Sequence, residues 1–106
     1  LATGAGVVGS NAYEAAKAGG LHEGLWKNYR NRPTAMLERA IKSLEQRIAE
    51  HEAKIARPQD FLRSNIPEIQ IRHLVTIKWP EEIETFKTQI QILKGINEEK
   101  TRGGTG

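Results

Sequence analysis

The clearest pattern in the chain is the series Leu37, Ile41, Leu44, Ile48, His51 and Ile55, at alternating spacings of four and three. Residues so spaced share one side of an α-helix, which predicts an amphipathic helix over about Thr34 to Ala56 with one seam turned to a partner. Outside the seam lie Glu38, Arg39, Lys42, Glu45, Gln46, Arg47, Glu50, Glu52 and Lys54, with Glu38–Lys42 and Glu50–Lys54 in the favourable i,i+4 order. Pro33 and Thr34 suit its start, where a missing N–H costs little and a hydroxyl can cap, and Pro58 ends it. A second seam of Ile83, Phe86, Ile90 and Leu93 predicts a final helix that opens at Pro80. Glu81 and Glu82 are favourable at its positive end, and its pattern fades past Gly95.

Between the two seams, Gln59 to Ile66 has no period and reads as a loop with a turn of helix. Pro67 then opens a middle element with Ile71, Leu74, Val75 and Ile77 as its apolar side, which Trp79-Pro80 is expected to break. Its β-branched residues leave a strand over 69–77 as the alternative to a helix. Upstream, Leu1 to Ser10 is Gly-rich and reads as a linker. Asn11 can cap a short helix over Tyr13–Ala18, stopped by Gly19-Gly20. A second helical patch runs from Leu21 to Tyr29, interrupted by Gly24. The expected fold is mainly α: an antiparallel helical hairpin with short N-terminal helices and a crossing middle element. The expected limits are a linker over 1–10, one helical domain over 11–100 and a flexible tail over 101–106.

Composition narrows the reading. A chain of 106 residues accommodates one core. With 38% hydrophobic and only 6% aromatic residues, stability has to come mainly from aliphatic helix packing. The absence of cysteine removes a disulfide framework and thiolate metal sites. No stretch approaches the roughly 20 apolar residues of a membrane helix, so stable membrane insertion is not expected, and no secretory signal is visible. The start at Leu1 rather than Met suggests a fragment of a longer polypeptide. The net charge of +3 favours nucleic acid or an acidic partner without demanding either. It concentrates locally, at Lys17, Lys27, Arg30 and Arg32 with His22 among them.

The same stretch holds the densest candidate chemistry. A metal-independent ribonuclease needs a base for the 2′-OH proton, an acid for the leaving 5′-oxygen and a cation for the charge on phosphorus. His22 can move protons near neutral pH, Lys27 can serve as the cation, and Tyr29 can donate a second proton. Trp26 can stack on a base, while Asn28, Arg30 and Arg32 can hold the substrate. The plain alternative is that Leu25, Trp26 and Tyr29 pack this helix while the cations sit in water. His51 is the second singular residue, because it interrupts an aliphatic seam. It is either a hydrogen-bonded core histidine or, if the His22 segment folds over it, a second proton-transfer group. His73, beside Arg72, Lys78 and Trp79, reads as part of a solvated face or as a contact to RNA.

Metal and nucleotide signatures are weak. Gly4, Gly6 and Gly9 formally match a dinucleotide-binding glycine pattern, but only three residues precede Gly4, too few for the strand that pattern requires. No H-E-x-x-H and no P-loop is present, and no metal or cofactor is expected.

The blocks Val8–Gly20, Leu21–Tyr29, Ile48–Pro58, Lys78–Pro80 and Gln91–Gly95 together resemble C-terminal domains of bacterial polymorphic toxins. These include the large haemagglutinin-like exoproteins of contact-dependent growth inhibition. The resemblance spans most of the chain. It implies a toxin tip, carried on a larger exported cell-surface protein, that acts in the cytoplasm of the target cell and is neutralised by a cognate immunity protein. Many such tips cleave RNA, often transfer RNA. It further places His22, Lys27, Asn28 and Tyr29 in one recurring block, and Glu50, His51 and Lys54 in another. Many ribonuclease toxins carry their site on an antiparallel sheet, which this sequence does not offer. The competing expectation is a non-enzymatic helical interaction or uptake module of the same toxin, in which seam integrity carries the function.

Overall fold

In a computed structural model, residues 12–103 are described, and among them the regular structure is helical throughout, with no strand. The glycine-rich segment 1–10 with its Gly4, Gly6 and Gly9, the cap at Asn11 and residues 104–106 lie outside the described residues. Helix α1 covers residues 12–17, α2 Glu23–Tyr29, α3 Thr34–Ala56, α4 Glu68–His73 and α5 Trp79–Gly103. A short 3₁₀ turn, Pro58–Asp60, follows α3, and a π-helical segment, Leu74–Lys78, joins α4 to α5.

Helix α1 ends where two glycines allow it. Gly19 has φ +99° and Gly20 N–H bonds Ala15 O at 2.7 Å while Gly19 N–H reaches Ala16 O at 3.2 Å. This is the Schellman pattern, which satisfies carbonyls the helix would otherwise leave unpaired. The chain reverses again through His22, the N-cap of α2, and α2 then runs without interruption through Gly24. Helix α3 has the expected bounds, with Pro33 in extended conformation just ahead of it and no side-chain cap.

Helices α3 and α5 form the antiparallel hairpin. His51 meets Glu82 and Phe86, whereas Leu37 shares a cluster with Ile92, Leu93 and Ile96, so rising numbers on one helix meet falling numbers on the other. Ile83, Ile90 and Leu93 of the expected seam are buried. Ile92 and Ile96 are buried too, beyond that seam. The reason is a second cover: Tyr13 and Ala16 of α1 join their cluster, with Leu25, Trp26 and Tyr29 of α2 packed at its margin.

The expected break at Trp79-Pro80 does not occur. Helix α4, the π-segment and α5 form one continuous helix, so the 69–77 strand alternative is replaced by helix and the middle element extends the final one. Proline has no N–H and its ring crowds the carbonyl four residues back, here that of Thr76. The helix absorbs this by widening: Trp79 N–H bonds Leu74 O, five residues back, just before Pro80. The helix also continues beyond Gly95 and includes residues 101–103 of the expected tail. A helix from Glu68 to Gly103 is roughly 50 Å long, which accounts for most of the 58 Å long axis of a molecule only 23 Å thin.

Candidate functional site

The residues singled out in the sequence fall in three places along this hairpin. The first is α2 itself. Arg30 lies over the Trp26 ring at 4.8 Å from its centroid, and Arg32 over the Tyr29 ring at 6.0 Å. Arg32 also donates to Asn28 O at 3.1 Å and to Asn28 Oδ1 at 3.2 Å. Lys27 pairs with Glu23 at 3.0 Å on the exposed side of the helix. The helix and the residues just after it thus present two arginine–aromatic pairs; the Arg30 side chain has no hydrogen-bond or ion-pair partner among the described residues, whereas Arg32 already donates from two of its nitrogens to Asn28. His22 stands at the start of α2 with φ 67°, the one described non-glycine residue in the left-handed region. Among the described residues its ring has no hydrogen-bond partner.

The second place is a groove of about 230 Å³ between α2, α3 and α5. Leu25, Ala40, Leu44 and the buried Leu93 give it an apolar lining, and Tyr29, Gln89 and the exposed Arg47 and Ser43 a polar one. Helices α2 and α3 are therefore two walls of one groove, and α5 supplies the third. Arg47, Ser43 and Gln89 carry no distinguishing local pattern. They become a site only when the register of α3 against α5 is known.

The third place is the far half of the α3–α5 seam. His51 Nε2 lies 2.6 Å from Glu82 Oε1, and His51 Nδ1 lies 3.0 Å from Arg47 O. The ring meets Phe86 edge-on at 5.1 Å. A backbone carbonyl and a carboxylate both accept, so the surroundings complement a ring that donates from both nitrogens. The hydrogen bond from His51 holds the Glu82 carboxyl below its ordinary value. Partial burial pushes the other way, and Lys78 Nζ, 3.3 Å from Glu82 Oε2, adds to the lowering. Glu82, first read only as a favourable charge at a helix start, is the interhelical partner of the seam histidine. Lys54 lies one turn further on, over the Trp79 ring at 5.7 Å.

Distances along α5 show what is brought together. Leu93 marks the α2 end and Trp79 the Lys54 end, about 20 Å apart at the helical rise. Among the described residues no hydrogen bond, ion pair or ring contact joins any two of His22, Lys27, Tyr29 and His51. The structure pairs Trp26 with Arg30 and joins Asn28, Tyr29 and Arg32, of which Tyr29 also lines the groove, and it sets His51 and Lys54 in the hairpin seam. His73 is exposed on α4, away from both. Among the described residues no three His, Cys, Asp or Glu side chains converge on a common point, and no helix is long and apolar enough to cross a membrane. No protein-family model, curated protein or solved structure matches the chain.

Proposed function

We propose that this domain binds RNA through α2 and cleaves it without a metal, as the toxin tip of a larger exported bacterial protein. The observation that carries the proposal is the concentration over residues 22–32 of two arginine–aromatic pairs, whose rings lie on α2 and whose arginines follow it, a histidine with an unengaged ring, and a groove beside them. Aromatic faces and stacked guanidinium groups are the means by which proteins hold unpaired bases and their phosphates. His22 carries the proton transfer, Lys27 and the arginines offset charge on the phosphodiester, and Tyr29 donates a hydrogen bond or proton. His51, with both nitrogens engaged, positions the hairpin instead of touching substrate. Transfer RNA in the cytoplasm of a target cell is the favoured substrate, and a cognate immunity protein protects the producer, both following from the toxin resemblance.

A second reading is favoured by the separation of His51 from the three candidate residues at α2: a non-enzymatic helical module of the same toxin. Expression in bacteria of the domain and its His22→Ala, Lys27→Ala and His51→Ala variants separates the two. Fragmented RNA that disappears with His22→Ala supports cleavage. Growth arrest with intact RNA and DNA overturns it in favour of the module.

A further inference from the structure

The groove between α2, α3 and α5 has a composition that the phosphate-binding role of α2 does not use. Its apolar lining is three leucines and Ala40, yet it also holds a phenol at Tyr29, a guanidinium at Arg47 and an amide at Gln89. Among the described residues none of the three side chains has a hydrogen-bond or ion-pair partner; the backbone carbonyls of Arg47 and Tyr29 accept from the His51 ring and from the backbone N–H of Arg32. An apolar floor under a few converging polar groups is the usual constitution of a small-molecule site. At about 230 Å³ it lies below the roughly 300–1,000 Å³ of sites for drug-sized ligands. It suits one ring system rather than a whole nucleotide.

We infer that this groove seats one unpaired nucleobase of the RNA held by α2, which rests on the RNA-binding reading above. The leucines supply a flat apolar contact for the base. The Gln89 amide, donor and acceptor at once, matches the hydrogen-bonding edge of a base. Arg47 takes the adjoining phosphate, and the Tyr29 hydroxyl suits a ribose hydroxyl. Tyr29 connects the two parts of the site, because its ring carries Arg32 while it also lines the groove. A base in the groove and a phosphate on the α2 arginines would then be neighbours along one strand. Duplex RNA, whose bases are stacked and paired, has no base to offer.

The test compares fluorescence anisotropy of two labelled six-residue probes of equal charge: a ribohexamer and an abasic ribose-phosphate hexamer. Wild-type protein is expected to bind the base-bearing probe about tenfold tighter, the worth of one well-made base contact. Gln89→Leu removes the amide, and Ser43→Leu fills the groove from its exposed edge. Either variant, with its helical circular dichroism retained, is expected to bring the ratio of the two affinities to near one. Arg30→Ala is expected to weaken both probes while leaving the ratio unchanged. A ratio that survives both leucine variants overturns the inference, as does a wild-type ratio of one when both probes bind. Failure of wild-type protein to bind either probe overturns the RNA reading itself.

Discussion

The ring of Tyr13 lies so close to the backbone of Gly95 that a methyl group there would stand 2.5 Å from Tyr13 Cγ. Helix propensity alone favours alanine over glycine inside a helix by about 1 kcal/mol. Here the ring leaves no room, so Gly95→Ala is expected to destabilise by about 1–3 kcal/mol net. Urea titration of Gly95→Ala and of the Tyr13→Ala/Gly95→Ala pair checks this. In the Tyr13→Ala background the added methyl should become stabilising, and additive losses would contradict the close contact.

His22 pays for its left-handed backbone, a conformation that costs about 1–2 kcal/mol for most L-residues, although histidine is among those that visit it most. His22→Gly relieves this and is expected to stabilise the fold by about 0.5–1 kcal/mol while abolishing RNA cleavage. Thermal unfolding beside an RNA-cleavage assay measures both. Retained cleavage in His22→Gly and in His22→Asn would remove the imidazole from the proposed chemistry.

The Glu82–His51 contact implies a dependence of stability on pH with a definite sign. The Glu82 carboxyl is lowered in the folded state. Its contribution is therefore complete above its ordinary value of 4.5, and is lost as the pH falls through the lower folded value. Unfolding free energies from pH 7 down to 3 should fall more steeply at the acid end for wild type than for Glu82→Gln. Parallel curves would show that the contact contributes nothing. His51→Ala also gives up the Phe86 edge contact and is expected to cost about 1–2 kcal/mol, with cleavage retained below its melting temperature.

Binding of single-stranded RNA by α2 should weaken with salt. For single strands the logarithm of affinity falls against the logarithm of salt concentration with a slope of about −0.7 per phosphate neutralised. Arg30→Ala and Arg32→Ala are each expected to reduce the slope by roughly that amount. A slope unchanged in both variants places the phosphate contacts elsewhere.

Much of the architecture was legible because amphipathic periodicity is local. The spacing of Leu37, Ile41, Leu44, Ile48, His51 and Ile55 depends only on the helical repeat, and α3 spans Thr34–Ala56 as that spacing predicts. Gly19-Gly20 likewise stops α1 for a reason contained in those two residues, the left-handed φ of Gly19 and the bond back to Ala15. The break expected at Trp79-Pro80 and the fading of the pattern past Gly95 both rest on a local cost that is real. Each is offset by something distant in sequence or slightly altered in geometry: a π-turn over Leu74–Lys78 before Pro80, and the ring of Tyr13 against Gly95.

The amino-acid sequence by itself thus determined the helical class, the amphipathic faces and the basic, aromatic character of α2, since these follow from residue type and spacing. Only the tertiary structure decided what those faces meet. Whether His51 was a seam residue or part of a site depended on the antiparallel register, which puts Glu82 opposite one of its nitrogens and the Arg47 carbonyl beside the other. The same register brings Arg47 and Gln89, 42 positions apart in the chain, to one groove with Tyr29. No local pattern contains such a meeting, because it arises from how two helices slide and rotate against each other as their cores close.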